Sequence, residues 1–283
     1  MSSKITLSKP TYSLEHCAMS VAIESFSLAS VMTAMGKFLP SIGASFKQTT
    51  DHGLADLRGI TPKDTVPKEF RNAMKSLDVF RFIDLRDTPI FVPDGFTGSL
   101  TEYAQLLKQT VAMCREIAQC VADYKAYVGM AVSNERVRID TKEHGIKWLA
   151  LSDKCQKHKA AVDAYFTDKP TTFLPLGDVF GNFGEINTFF KTVSSLSLDI
   201  GQLNPKALVT DVETASTYLD MFAKNYEEGK YKEISAQAAK SIALGAHQVA
   251  TLSECYSILY YRMLGLGKAA EQIKQKLETI AKA

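Results

Sequence analysis

SLTEYAQLLKQTVAMCREIAQCVADYKAYVGMA, residues 99–131, is the stretch whose reading decides the fold. Ser99 and Glu102 stand three apart, the spacing of a capping box that satisfies the first free amides of a helix. Behind them Leu100, Tyr103, Leu107, Val111, Cys114, Ile117, Val121, Tyr124, Val128 and Ala131 recur every three or four residues, the period of one helical face. About 35 residues at 1.5 Å each make a rod of roughly 50 Å, long for a globular helix and usual in bundles.

Downstream of it the pattern stays helical. Residues 141–166 read as a second helix, which carries Trp148 and ends before Lys169-Pro170. The stretch 171–203 begins extended and turns helical after about Gly177. Asn204-Pro205 supplies an N-cap and a first-turn proline for a helix over 206–226. Residues 232–283 read as one long helix, relaxed near Gly265 and Gly267. The expectation is a mainly α fold, an antiparallel bundle of about five helices over 98–283.

The region 1–97 reads differently. Leu28, Val31, Met35, Phe38, Ile42 and Phe46 form an apolar stripe, with Thr33, Lys37, Ser41 and Ser45 on another face, so 13–39 is expected to be an amphipathic helix. Pro40 should kink it, and Glu24, Lys37 and Pro40 disfavour a bilayer span over residues 21–46. A short helix is expected over 67–77. VFRFIDL (79–85) and TPIFVPDGF (88–96) are the candidate strands, joined as one small hairpin around Arg86-Asp87.

Composition excludes several functions. The 46% of apolar and 23% of charged residues are globular usage. A net charge of +2, from 33 basic and 31 acidic side chains, gives no field to steer the chain onto nucleic acid. Five scattered cysteines without a CxxC pair suggest neither a disulfide framework nor a zinc knuckle, and fit a reducing interior. The amino terminus lacks an apolar core directly after its lysines, so no secretory signal is expected.

Catalytic motifs are equally sparse. His16, His52, His144, His158 and His247 include no HExxH and no pair at helical spacing. His158, in the lysine-rich KCQKHKAA, is expected on a solvated face, and His247 as a polar residue within the bundle. GLGKAAE (265–271) lacks the spacing and the hydroxyl residue of a phosphate loop, and GDVFGNFGE (177–185) lacks the GxGxxG order. No GxSxG elbow exposes a serine. No catalytic residue, cofactor or metal ligand is assigned. A helical enzyme would have to build its site in three dimensions, near His247 and Glu254 or under the 177–184 loop.

Two surface features remain. Lys154, Lys157 and Lys159 lie in a local excess of positive charge that could meet phosphates, although a polar helix face explains them more simply. Phe26, Val31, Met35, Phe38, Phe189, Phe190, Tyr260 and Tyr261 are the candidate interaction residues, because rings on several sides of one element suggest a face left over for other subunits.

Long helices, an amphipathic amino-terminal segment, the short IFVPDGF piece and the lack of an active-site motif together resemble the virion structural proteins of large tailed bacteriophages, head-internal ones included. The resemblance implies a non-enzymatic structural or assembly protein with other protein subunits as partners, located in the virion or the host cytoplasm. Membrane contact through residues 21–46 is the alternative partner. In head-internal proteins a maturation protease cuts after a small residue, any residue, then Glu. Ala22-Ile23-Glu24 and Ser13-Leu14-Glu15 fit that pattern. With 15 glutamates and roughly a quarter of positions Ala, Ser or Gly, about four matches arise by chance, and four occur.

Overall fold

The computed structural model describes residues 82–133, 141–231 and 236–282. The expected helices over 13–39 and 67–77, the candidate interaction residues Phe26, Val31, Met35 and Phe38, and residues 136–139 lie outside the described residues. Within them the elements run α1 (Phe82–Leu85), β1 (Pro89–Phe91), α2 (Leu100–Ser133), α3 (Thr141–Asp163), β2 (Phe173–Pro175), α4 (Leu176–Val179), α5 (Phe183–Ile200), α6 (Pro205–Glu227) and α7 (Ala236–Lys282). The fold is mainly α with one small antiparallel sheet.

Helix α2 is the axis. Its Ser99 hydroxyl accepts from the Glu102 amide at 3.3 Å, so half of the expected capping box is formed. Every residue of the predicted stripe is buried, and so are Thr101, Ala104, Thr110, Met113, Cys120 and Tyr127 on other sides. Burial on several sides follows from its neighbours, because α3, α5, α6 and α7 all pack on it.

Cross-contacts fix the direction of each neighbour. Thr101 reaches the Glu185 carbonyl, Arg115 reaches Gln202, and Lys125 reaches Asp211, so α5 and then α6 run parallel to α2. Together they form one rod broken at Gly201–Asn204, where Asn204 caps α6 by accepting from the Ala207 amide at 3.1 Å. Trp148 meets Tyr124 and Lys154 meets Glu116, which makes α3 antiparallel to α2. The Tyr124 hydroxyl donates to the Ile242 carbonyl and Cys114 lies by Cys255, which makes α7 antiparallel as well. The five expected helices thus reduce to four rods, up-down-up-down, because α5 and α6 share one.

The 47 residues of α7 span about 70 Å. Its core positions Ile242, Val249, Tyr256, Met263, Ala270 and Leu277 repeat every seven residues, with Leu252, Leu259, Leu266 and Ile273 between them, all buried. A strict seven-residue repeat keeps one seam facing its partners along the whole rod. Gly265 and Gly267 do not interrupt the helix.

Two expectations about the β segment change. Phe82–Leu85 is a single helical turn, not a strand. β1 pairs with Phe173–Pro175 rather than with a hairpin neighbour, in the register Pro89↔Pro175, Ile90↔Leu174 and Phe91↔Phe173. The ribbon continues irregularly through Val92 N to Thr172 O, Gly95 N to Thr171 O and Thr97 N to Tyr165 O, at 2.8–3.0 Å. Gly95 has φ +75°, and a Cβ there would stand 2.5 Å from the Thr167 carbonyl, so this crossing admits only glycine. Pro89, Pro93, Pro170 and Pro175 punctuate the ribbon and limit its edges as docking templates. β1 also packs on α7.

Candidate functional site

The residues expected to leave the chain's surface open turn inward. Phe189 and Phe190 are buried beside Phe180, with ring centroids 5.4 Å (Phe180–Phe189) and 5.2 Å (Phe189–Phe190) apart. Tyr260 is buried and stacks on Tyr256, and Tyr261 is half-buried. A four-rod bundle closes more ring surface inside one chain than single-helix patterns suggest, so Phe189, Phe190 and Tyr260 are core rather than a free interaction face.

The basic patch is partly neutralised. Lys154 pairs with Glu116 at 2.7 Å and Lys159 with Asp163 at 2.8 Å, while Lys157 is exposed. His158 is half-buried, not solvated: its Nε2 stands 2.7 Å from the Thr110 hydroxyl on α2. Desolvation, aided by Lys154, holds its imidazole below the ordinary histidine range, so the ring seats neutral on α2. GDVFGNFGE is an N-terminal clamp: Asn182 accepts from the Glu185 amide at 3.0 Å, and the Glu185 carboxylate accepts from the Gly181 amide at 2.8 Å. That reciprocal pairing explains the residues under the 177–184 loop as a helix start.

One groove lies at the break between α5 and α6, lined by Arg115, Gln119, Gln202, Asn204 and Asp211 over Tyr256. At about 250 Å³ it falls under the usual range for small-molecule sites. Its polar groups are already engaged: Arg115 donates to Gln202 at 2.8 Å, Asp211 holds Lys125 at 2.6 Å, and Asn204 caps α6.

A second constellation went unnoticed in the sequence because its members are far apart. Phe96, Tyr103, Tyr165 and Phe166 pack ring to ring at 5.2–6.0 Å where the ribbon meets α2. The Arg262 guanidinium sits 3.6 Å over Phe166 and donates to Asp163 at 3.1 Å. Burial pushes the Tyr103 phenol far above its ordinary range, with Asp163 adding to the push and Arg262 opposing it. Its hydroxyl is buried without a hydrogen-bond partner. Tyr103→Phe should therefore leave stability unchanged or raise it by about 1 kcal/mol, whereas Tyr124→Phe, which loses the bond to Ile242 at 2.8 Å, should cost about 1 kcal/mol. Urea denaturation followed by circular dichroism gives both signs.

Chemically, the interior is quiet at neutral pH. Burial raises the Cys114 thiol far above its usual range and Cys120 to about 12, and the hydrogen bond with Cys155 followed by burial raises Cys255 far above that range, so all three stay protonated and are poor nucleophiles. Among the described residues no group of three His, Cys, Asp or Glu side chains could hold a metal ion, and no helix is long and apolar enough to cross a membrane.

The outer surface is more informative. Met130, Leu149, Met221 and Leu244 are each 40–54% exposed. Met130 adjoins Gly129, which lies against Tyr218, one turn before Met221. Leu149 and Leu244 flank Trp148 and Gly245, which touch. All four thus occupy one end of the bundle, opposite the β ribbon, where Ile83 and Phe173 are exposed as well, and Leu198 is exposed on α5. No family model matches the chain, and neither a curated protein nor a solved structure is similar to it.

Proposed function

We propose that this chain is a non-enzymatic structural or assembly protein that acts through helix-mediated contacts with other protein subunits, as a component of a phage particle. The observation that carries the reading is the set of large apolar side chains left outside the core: Met130, Leu149, Met221 and Leu244 on four helices at the ribbon-distal end, Leu198 on α5, and Ile83 and Phe173 at the ribbon. Where such side chains cluster on a surface they mark a contact site. The style-level resemblance to virion structural proteins supports the same reading and suggests the particle.

Size-exclusion chromatography with light scattering at micromolar concentration tests it. The expected species is larger than the 31.2 kDa monomer and returns to monomer when Leu149 and Met221 are both replaced by Lys. A compact monomer that also captures no partner from particle lysates would overturn the proposal. Liposome co-sedimentation of the full chain, with and without residues 21–46, separates subunit contact from membrane contact.

A further inference from the structure

Three buried thiols on three helices lie near one another in the core. Cys255 on α7 donates its Sγ–H to the Cys155 carbonyl on α3, 3.6 Å away, which brings the two cysteines side by side. Both are 1% exposed and free. Cys114 on α2 is near enough to Cys255 to interact electrostatically.

Cys155 sits on the helix with the smallest share of buried side chains among the described ones. Between Lys147 and Asp163 only Trp148, Cys155 and Val162 are buried, one residue in seven. Its remaining attachments include the exposed Lys154–Glu116 pair, the Lys159–Asp163–Arg262 cluster and the His158–Thr110 hydrogen bond. A helix with so few buried side chains opens more readily than its neighbours.

We propose that Cys155 and Cys255 form a disulfide that fastens α3 to α7 when the protein meets a peroxide. One sulfur, as thiolate, attacks a peroxide oxygen; the O–O bond breaks, hydroxide leaves and a sulfenic acid forms. The second sulfur attacks the first, the S–O bond breaks, and the S–S bond closes. Two thiols and one hydrogen peroxide become one disulfide and two waters. Since both thiols are shielded, the reaction proceeds through transient opening of α3, and its rate follows that opening. The bridge would close a loop of about 100 residues, the class of cross-link that restricts the unfolded chain most.

The test treats the full chain with hydrogen peroxide, then alkylates it and maps peptides without reduction. The expected product is a Cys155–Cys255 peptide pair short of two hydrogens, formed faster in sub-denaturing urea, absent from Cys155→Ala and Cys255→Ala, and kept in Cys114→Ala. Amide exchange within α3 should slow by about tenfold or more. The melting temperature should rise on the order of 5–10 °C and fall back on reduction. A bridge through Cys114, a bridge between chains, sulfinic or sulfonic acid without a bridge, or a Cys155–Cys255 bridge that leaves α3 exchange unchanged would each overturn the proposal. The readout is independent of whether the chain assembles.

Discussion

Raising the pH from 9 to 11 should unfold this bundle cooperatively, with a midpoint between about pH 10 and 11. The cause is the number of weak acids held neutral in its core. Burial raises the thiols of Cys114 and Cys120 and the phenols of Tyr103, Tyr124 and Tyr256, and the hydrogen bond with Cys155 followed by burial raises Cys255. The unfolded chain gives up these protons near pH 9 for thiols and pH 10 for phenols, while the folded chain keeps them. Their stabilisation is therefore complete below pH 9 and is lost as the pH climbs toward the folded values. Six such groups withdraw about 5 kcal/mol at pH 10 and about 12 kcal/mol at pH 11. Domain stabilities of about 5–15 kcal/mol are consumed within that interval. Far-ultraviolet circular dichroism against pH measures it, and tyrosinate absorbance at 295 nm should rise in the same step. A chain that keeps its helicity at pH 11.5 while the phenols ionise would refute the account. Tyr260, raised to about 12 by burial, adds in the same direction.

Much of this architecture was legible as periodicity. The stripe from Leu100 to Ala131, the Asn204-Pro205 start and the length of α7 are local signals, and the ends of α2, α6 and α7 fall within a few residues of them. Pairings across distance were not legible. The extended piece before Gly177 was visible, yet nothing local tied it to Pro89–Phe91, since strand partners separated by about 84 residues leave no shared periodicity. Arg86-Asp87 looked like a hairpin turn because turn chemistry does not name the strand it serves. Phe189-Phe190 and Tyr260-Tyr261 looked surplus for a related reason: a single-helix pattern shows how many rings there are, but not that a broken rod, α5 with α6, wraps the core beside them. The groove was illegible too, since it arises where that rod breaks. Of the apolar candidate interaction residues, only Tyr261 keeps partial exposure among those described.

A glycine decides the packing at the ribbon-distal end of the bundle. Gly245 occupies a seam position of α7, three residues after Ile242, and a Cβ there would stand 2.6 Å from Trp148 Cζ3 and 2.8 Å from Tyr124 Cε2. Neither ring can retreat freely. Trp148 is held edge-on by Tyr124 and Tyr127 at 5.2 and 5.9 Å, and the Tyr124 hydroxyl is tied to the Ile242 carbonyl on the turn before Gly245. Trp148 thus fills the place that a seam side chain would take. Gly245→Ala gains about 1 kcal/mol of helix propensity and loses about 2 kcal/mol to the clash, for a net cost of about 1 kcal/mol. Gly245→Val adds two methyl groups without the propensity gain, and should cost about 3 kcal/mol or more. Gly265 on the same helix has nothing within 4 Å of its Cβ position, so Gly265→Ala should stabilise by about 1 kcal/mol. Chemical denaturation of the three variants checks the opposed signs. Trp148, the chain's only tryptophan, supplies a local reading, because its emission should shift in the two Gly245 variants and stay put in Gly265→Ala. Equal effects at both glycines would mean that helix propensity alone governs α7; opposite signs require the Trp148–Tyr124 contact to be the constraint that keeps α3, α2 and α7 in register.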